Sequence, residues 1–293
     1  VTVRVRAATR ASALARWQAT HVSALLRAAH PDLLVEPVLI ETIADQRLDV
    51  SIESFGGKGV FVKEIQAAVL DGRADIAVHS AKDLPSITHP GLVLACVPER
   101  GDPRDVLVGS TLAGLGPGAH VATGSQRRRV QLAAHRPDLV FSSLRGNIAT
   151  RLGKASSYDA IVMAKAALDR LKIDPDVVDV LDPAFMVPQV GQGALAVECR
   201  VEDTATRALL AGLEHAPSRR CVDAERAFLA ELGGDCTLPA GAFAVLHDDG
   251  TIEINAILAA DDGQVHRTGA RGLDGPRLAI DLAIELRARI SGG

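Results

Sequence analysis

Residues 74–83 read Ala-Asp-Ile-Ala-Val-His-Ser-Ala-Lys-Asp. The apolar run is as short as buried strands are, and it breaks at Ser80 into a segment carrying a cation and an acid, Lys82 and Asp83. Upstream, Val1, Val3 and Val5 alternate with Arg4 and Arg6, and an Ala/Leu-rich helical stretch runs from Ser12 to about Ala29. A strand follows over 35–43, and 60–70 is helical. This alternation makes βαβ units, so the first part of the chain is expected to form a largely parallel sheet with helices on both faces.

A second alternation begins after the turn residues Pro-Glu-Arg-Gly-Asp-Pro at 98–103. Strands are expected over 105–108, 120–123, 139–142 and 159–163, with helices from Arg127, from Ile148 and over 166–171. The run from Gly191 to Cys199 is another buried strand, followed by a helix over 204–213; its place after the second lobe implies that the chain crosses back to the first sheet. From Pro217 the pattern changes to a helix over 222–231, a glycine-rich turn holding Cys236, three strands, and a last helix over 276–290. The expected fold class is α/β: two periplasmic-binding-protein-like α/β lobes joined by hinge crossings, with a ligand in the cleft between them, plus a small C-terminal α+β domain. The expected domains are 1–97 with 194–213, 98–193 and 214–293.

Composition places the chain among ordinary globular proteins. Of 293 residues, 47% are hydrophobic and 23% charged, which argues against disorder. No apolar run reaches the roughly 18 to 20 residues of a membrane span, and the opening Val-Thr-Val-Arg-Val-Arg interleaves charge where a signal peptide would segregate it. Cys96, Cys199, Cys221 and Cys236 are widely spaced without a Cys-x-x-Cys pair, so neither a disulfide framework nor a metal site is expected, and a reducing cytoplasm fits best.

The informative departure is in the distribution of charge. Between Val121 and Lys154 stand Arg127, Arg128, Arg129, Arg136, Arg145, Arg151 and Lys154 against Asp138 alone, in a chain of net charge −4. Cations also follow the predicted strands at Arg10, Lys82, Arg127, Arg128 and Arg145, where open α/β sheets bind ligands and helix N-termini favour anions. A small polyanion, a polycarboxylate or a phosphate, is the expected ligand. Nucleic acid is disfavoured by 3% aromatic content and the negative balance. Asp83 is the one carboxylate among these cations, able to stabilise a developing positive charge or relay a proton, or else to pair with Lys82. Cys236 sits on a glycine-rich turn where a thiol can react, whereas Cys96 and Cys199 read as core. Gly56-Gly-Lys-Gly59 fails the phosphate-loop pattern, because Gly59 follows Lys58, and reads as a mobile lid carrying Lys58 and Phe55.

Together these pieces resemble the porphobilinogen deaminase (hydroxymethylbilane synthase) family over nearly the whole chain. The stretches that carry the resemblance are Phe55-Gly-Gly-Lys-Gly-Val-Phe-Val-Lys-Glu64, the 74–83 run, Ser143-Leu-Arg-Gly-Asn147 with Thr150-Arg-Leu152, Val190-Gly-Gln-Gly-Ala194 and the turn at Cys236. The resemblance implies a transferase of tetrapyrrole (haem) biosynthesis, built around a dipyrromethane cofactor joined to Cys236 through a thioether. It further implies head-to-tail addition of four porphobilinogens with loss of ammonia, and hydrolytic release of 1-hydroxymethylbilane. Every pyrrole brings an acetate and a propionate, which explains the arginines.

Position by position, the resemblance makes Asp83 the catalytic carboxylate. Lys82, Ser80, Thr123, Ser125, Arg127 and Arg128 become cofactor ligands, Arg10, Ser12, Gln18 and Arg170 substrate ligands, and Arg145 and Arg151 ligands to both. It also implies a cytoplasmic monomer that feeds uroporphyrinogen-III synthase. The chain departs from the family pattern at Ala11 and Ala13, Ala44, Gly124, Lys165 and Asp235, none of which removes a charged ligand or the thiol. Two rival readings predict different measurements: an anion receptor without chemistry would carry no covalent pyrrole, and a nucleic-acid-binding protein would show salt-dependent oligonucleotide affinity.

Overall fold

The computed structural model describes residues 3–41, 62–233 and 238–291. Lys58, Phe55, Cys236 and the 56–59 turn lie outside the described residues. The chain runs through β1 (Arg4–Thr9), α1 (Ala13–Ala29), β2 (Leu34–Leu39), α2 (Lys63–Leu70), β3 (Ile76–Ser80), a 3₁₀ turn (Ala81–Asp83) and β4 (Leu92–Cys96). It continues through β5 (Asp105–Val108), β6 (His120–Ala122), α3 (Gln126–His135), β7 (Val140–Ser142), α4 (Ile148–Gly153), β8 (Ala160–Ala164), α5 (Lys165–Leu171) and β9 (Val178–Val180). Last come β10 (Leu195–Arg200), α6 (Thr204–Ala211), α7 (Ala216–Glu231), β11 (Ala240–Leu246), β12 (Ile252–Ala259), β13 (Val265–Gly272) and α8 (Gly275–Ser291). Contacts divide the chain into two compact units, Val1–Arg100 with Ala194–Arg219 and Gly101–Gly193 with Arg220–Gly293.

The first unit holds a five-stranded sheet in the order β2-β1-β3-β10-β4. β1 is parallel to β2 and β3, while β10 runs antiparallel to both of its neighbours. Alternation along the strands sorts side chains onto two faces. Ala7, Ile76, Val78 and Val197 pack with Val22 and Leu26 of α1 and Leu210 of α6, and Ala8 and Ala77 pack with Ile65, Ala68 and Val69 of α2. All five residues of β3 are buried, as a central strand covered on both faces requires.

The second unit repeats the arrangement with the order β7-β6-β8-β5-β9, and adds an antiparallel sheet β11-β12-β13. Here β5 is the reversed strand, antiparallel to β8 and β9. In both five-stranded sheets the fourth position is taken by the strand that directly follows a passage of the chain from one unit to the other. The mixed α/β architecture with a small C-terminal sheet is therefore the one expected. Leu107, Val121 and Val162 face Leu132 of α3, while Val106, Ala122 and Ile161 face Leu168 of α5. The third sheet buries Ala242, Ile254 and Ala256 against Ala224 and Phe228 of α7 and Leu282 and Leu286 of α8.

Some elements differ from their sequence reading. β4 is the apolar strand in which Cys96 reads as core, whereas β9 was not expected: its Val-Asp-Val sits among Asp174, Asp176 and Asp182, and these aspartates break up any apolar run. α7 begins at Ala216, six residues before the apolar pattern that announces it, because its first turns carry the polar residues of Ala-Pro-Ser-Arg-Arg.

Candidate functional site

In the first unit the site starts where β1 gives way to α1. Ser12 is the N-cap of α1, its Oγ accepting from the Ala15 N–H at 3.3 Å, and Thr9 Oγ1 donates to the Ala15 carbonyl at 3.0 Å. These bonds fix the turn on which Arg10 stands. One turn along the helix, Gln18 Nε2 donates to Ser80 Oγ at 2.6 Å, both side chains buried, so α1 is keyed to the last residue of β3. The 3₁₀ turn then swings Asp83 into solvent exposure, its geometry set by Ala81 N–H donating to the Ala194 carbonyl at 3.0 Å at the mouth of β10. Arg10, Ser12, Gln18, His79, Ser80 and Asp83 line one pocket at this edge of the sheet. Five of these are residues the sequence had singled out. Lys82 stands half-buried beside Asp83 on the same turn.

The second unit collects its own set. Thr123 N–H donates to Ser142 O at 2.9 Å, Thr123 Oγ1 accepts from Ser125 N–H at 3.2 Å, and Ser125 caps α3. Gly124 lies so close to the next loop that a Cβ would sit 2.6 Å from the Leu144 carbonyl oxygen, so only glycine lets the loop bearing Ser125 approach the loop bearing Arg145. Arg145 is exposed, and Arg151 Nε donates to Gly146 O at 2.8 Å, folding α4 back on that loop. Arg170 Nη2 donates to Gly193 O at 2.6 Å. Lys165, which departs from the family pattern, pairs with Asp169 one turn on.

Arg127 and Arg128 follow β6, as the sequence led one to expect, but they are not open to solvent. Both are buried, and both converge on Asp105, the wholly buried first residue of β5. Arg127 Nη2 meets Oδ2 at 2.8 Å, while Arg128 Nε and Nη2 meet Oδ1 at 3.0 and 2.8 Å. Gln192 Nε2 completes the group, donating to Oδ1 at 2.8 Å and to Pro103 O at 2.7 Å. Burial works to raise the carboxyl of Asp105, but the two guanidiniums and the Gln192 amide overcome it and hold it down to about 2. Burial likewise pulls Arg127 below its ordinary value against the attraction of Asp105.

Two guanidiniums thus face one carboxylate, and the buried Arg127 Nε has no hydrogen-bond partner among the described residues. An interior with surplus cationic charge and an unused donor suits an anionic group. The donors fit the carboxylates of a dipyrromethane.

Five contributors escaped the sequence reading: Asp105, Gln192, His79, Glu198 and Gln66. For the first four the common signal is a lone polar residue in or beside an apolar strand, as in Pro-Arg-Asp-Val-Leu-Val around Asp105 and Ala-Val-Glu-Cys around Glu198, while Gln66 lies on the buried face of α2. His79 Nε2 lies 3.2 Å from Glu198 Oε2, and Gln66 Nε2 donates to both oxygens of Glu198 at 2.9 and 3.2 Å. Among the described residues no group of three or more His, Cys, Asp or Glu side chains could hold a metal ion, and no helix is long and apolar enough to cross a membrane.

Comparison with known proteins gives matches along the chain. Residues 5–208 match the family described as porphobilinogen deaminase, dipyromethane cofactor binding domain, and residues 219–291 match porphobilinogen deaminase, C-terminal domain. A porphobilinogen deaminase of Nitratidesulfovibrio vulgaris (strain DSM 19637 / Miyazaki F) is 45% identical over 297 residues, spanning 97% of this chain and 94% of that protein. Among solved structures, the BenM effector binding domain with its effector benzoate aligns over 73% of this chain and 91% of its own at 15% identity and a TM-score of 0.43. The Bordetella pertussis BvgS periplasmic VFT2 domain aligns over 72% and 86%, at 15% identity and a TM-score of 0.42.

Proposed function

The chain belongs to the porphobilinogen deaminase family, and from that membership we infer how its residues divide the work. The protein is a transferase of tetrapyrrole biosynthesis. It condenses four porphobilinogens head to tail on a covalently bound dipyrromethane, releasing ammonia at each addition and finally 1-hydroxymethylbilane by hydrolysis. When bound, the dipyrromethane supplies the pyrrole on which the chain is begun.

In the first unit, Arg10, Ser12 and Gln18 hold substrate and Ser80 and Lys82 hold cofactor, while Asp83 is the catalytic carboxylate. Deamination of porphobilinogen leaves an azafulvene cation. Asp83 accepts hydrogen bonds from pyrrole N–H groups, stabilises that cation and then assists proton loss once the free pyrrole α-carbon has attacked, and the fixed geometry of its turn spares reorganisation as the charge develops. In the second unit, Thr123, Ser125, Arg127 and Arg128 hold cofactor carboxylates, Arg145 and Arg151 serve both cofactor and growing chain, and Arg170 serves substrate. The observation that carries this reading is the convergence of Arg10, Ser12, Gln18, Ser80 and Asp83 on one pocket. Cys236 is the attachment point, and Lys58 and Phe55 form a lid; all three lie outside the described residues.

The same reading divides the chain into domains 1–97 with 194–213, 98–193 and 214–293. It makes the protein a cytoplasmic monomer whose product passes to uroporphyrinogen-III synthase. Intact mass of the purified protein tests the central assignment. An excess equal to two porphobilinogen units less their ammonia, lost in Cys236→Ala, is expected. An unmodified protein that makes bilane would remove Cys236 from the mechanism.

A further inference from the structure

The 74–83 run contains a residue that neither the fold nor the site described so far needs. His79 sits in a strand whose other four residues are buried as well, where valine or alanine would serve the sheet. Strand alternation places it on the face that α2 covers, since Ala77 packs there with Ile65 and Ala68 while Ile76 and Val78 face α1. It is 6% exposed and lines the same pocket as Arg10 and Asp83. Its Nε2 lies 3.2 Å from the carboxylate of Glu198, itself 1% exposed, yet has no hydrogen-bond partner among the described residues. Gln66 clamps both oxygens of that carboxylate. An imidazole and a carboxylate buried face to face are a poor way to gain stability, because desolvation offsets their attraction. They are a good way to hold a proton in two states.

We propose that His79 accepts the proton released at each condensation, with Glu198 as its positioning residue and Gln66 as the clamp on Glu198. Every addition after the first joins two substrate-derived rings. The α-carbon of the earlier ring attacks the azafulvene methylene and forms the new C–C bond. Its C–H bond then breaks, the electron pair restores the aromatic pyrrole, and the proton forms an N–H bond at Nδ1, the nitrogen left once Nε2 is turned to Glu198. The imidazolium is held by the Glu198 carboxylate, and it passes the proton to the ammonia freed in the same addition, which leaves as ammonium. The cycle returns His79 to neutrality and consumes no further reactant. Asp83 assists this proton loss through its hydrogen bonds to the pyrrole N–H groups, which steady the cation, while His79 takes the proton itself.

The charged groups that face His79 are Glu198 of β10, opposite its Nε2, and Arg10 and Asp83, which line the same pocket. The α1 residues lining the pocket, Leu14, Ala15 and Gln18, carry no titratable group.

This inference rests on the deaminase reading, and the holoenzyme tests the two separately. His79→Gln keeps a donor for Glu198 and His79→Asn keeps a polar group at the Nδ1 position, but neither can take up a proton. Both variants, once shown by intact mass to carry the pyrrole excess, are expected to lose turnover at least about 100-fold with little change in KM, and to lose the acid-side limb of the pH–kcat profile. If His79→Gln turns over within about threefold of wild type, the imidazole is structural and the proposal is overturned. Should the substituted proteins fail to fold, nitrogen-15 resonances of the His79 ring in wild-type holoenzyme decide: they must report protonation over the pH range in which kcat falls, and an unchanged ring overturns the proposal. A wild type that makes no bilane would instead overturn the functional reading.

Discussion

Gln18 Nε2 donates to Ser80 Oγ at 2.6 Å, and this single bond keys the first helix to the strand that delivers Asp83. Both groups are buried, so neither has water as an alternative partner. Ser80→Ala leaves the Gln18 amide without this acceptor and should cost about 1 to 3 kcal/mol in urea denaturation. Because the bond also positions the pocket wall, KM for porphobilinogen should rise more than kcat falls. An alanine variant with unchanged stability and KM would show that the bond positions nothing.

Asp83 is exposed on a one-turn 3₁₀ segment and makes little contribution to packing. Asp83→Asn should therefore leave the melting temperature within about 2 °C of wild type, as surface substitutions do. It should retain the covalent pyrrole by intact mass and abolish turnover, since the amide cannot offset a developing cation. Retained turnover would take the catalytic role away from Asp83.

Asp105 supplies a pH dependence whose sign can be worked out. Its carboxyl is held at about 2 in the folded protein, against an ordinary value of 3.8. The unfolded chain therefore takes up the proton first, and the contribution of Asp105 is complete above the ordinary value and is lost as pH falls from there towards 2. The span corresponds to about 2 kcal/mol. Removing the charge altogether is harsher: Asp105→Asn strands two buried guanidiniums and should cost about 3 to 5 kcal/mol at neutral pH. Acid titration of stability, followed by circular dichroism, should show the loss between pH 4 and 2 in wild type and a smaller one in the variant, where Asp75, Asp102 and Asp249, also held low, still titrate.

How much of this was legible follows from what kind of signal each residue gives. Arg10, Lys82 and Asp83 stand where an apolar run stops, and a strand end is visible because the period breaks there. The partner of Arg127 and Arg128 was not visible in the same way. A run of three arginines reads alike whether solvated or buried, and Asp105 meets them only because β5 is reversed beside β8, which brings its first residue level with Ala164 at the end of that strand. Likewise His79 and Glu198 each look like an impurity in an apolar strand until β10 is laid antiparallel against β3. Order within a sheet is a long-range property, and periodicity is local. β9 is no shorter than β6 and β7, but aspartates interrupt and flank it, so even its local signal is broken.

Arg267 of β13 ties the third sheet to the second, within one compact unit. Its Nη1 donates to Ala184 O at 2.8 Å, and its Nη2 donates to Phe185 O at 2.6 Å and to Gln131 Oε1 at 3.1 Å. Burial lowers the guanidinium below its ordinary value, the mark of a charge desolvated to reach carbonyls. Arg267→Met keeps the stem and removes the donors, so the loss is that of charge-assisted bonds, each worth about 1.5 to 3 kcal/mol. Calorimetry should then resolve two unfolding transitions in place of one for this unit, with the C-terminal sheet melting first. Arg267→Lys should recover only part of the coupling, because a point charge on a flexible stem cannot span three acceptors. A second readout is independent of stability. The fold pulls His135 below its usual range, first through burial and then through the charge of Arg267, so Arg267→Met should raise its titration midpoint by NMR. An unchanged midpoint and a single transition would mean that the third sheet is held by its apolar contacts alone.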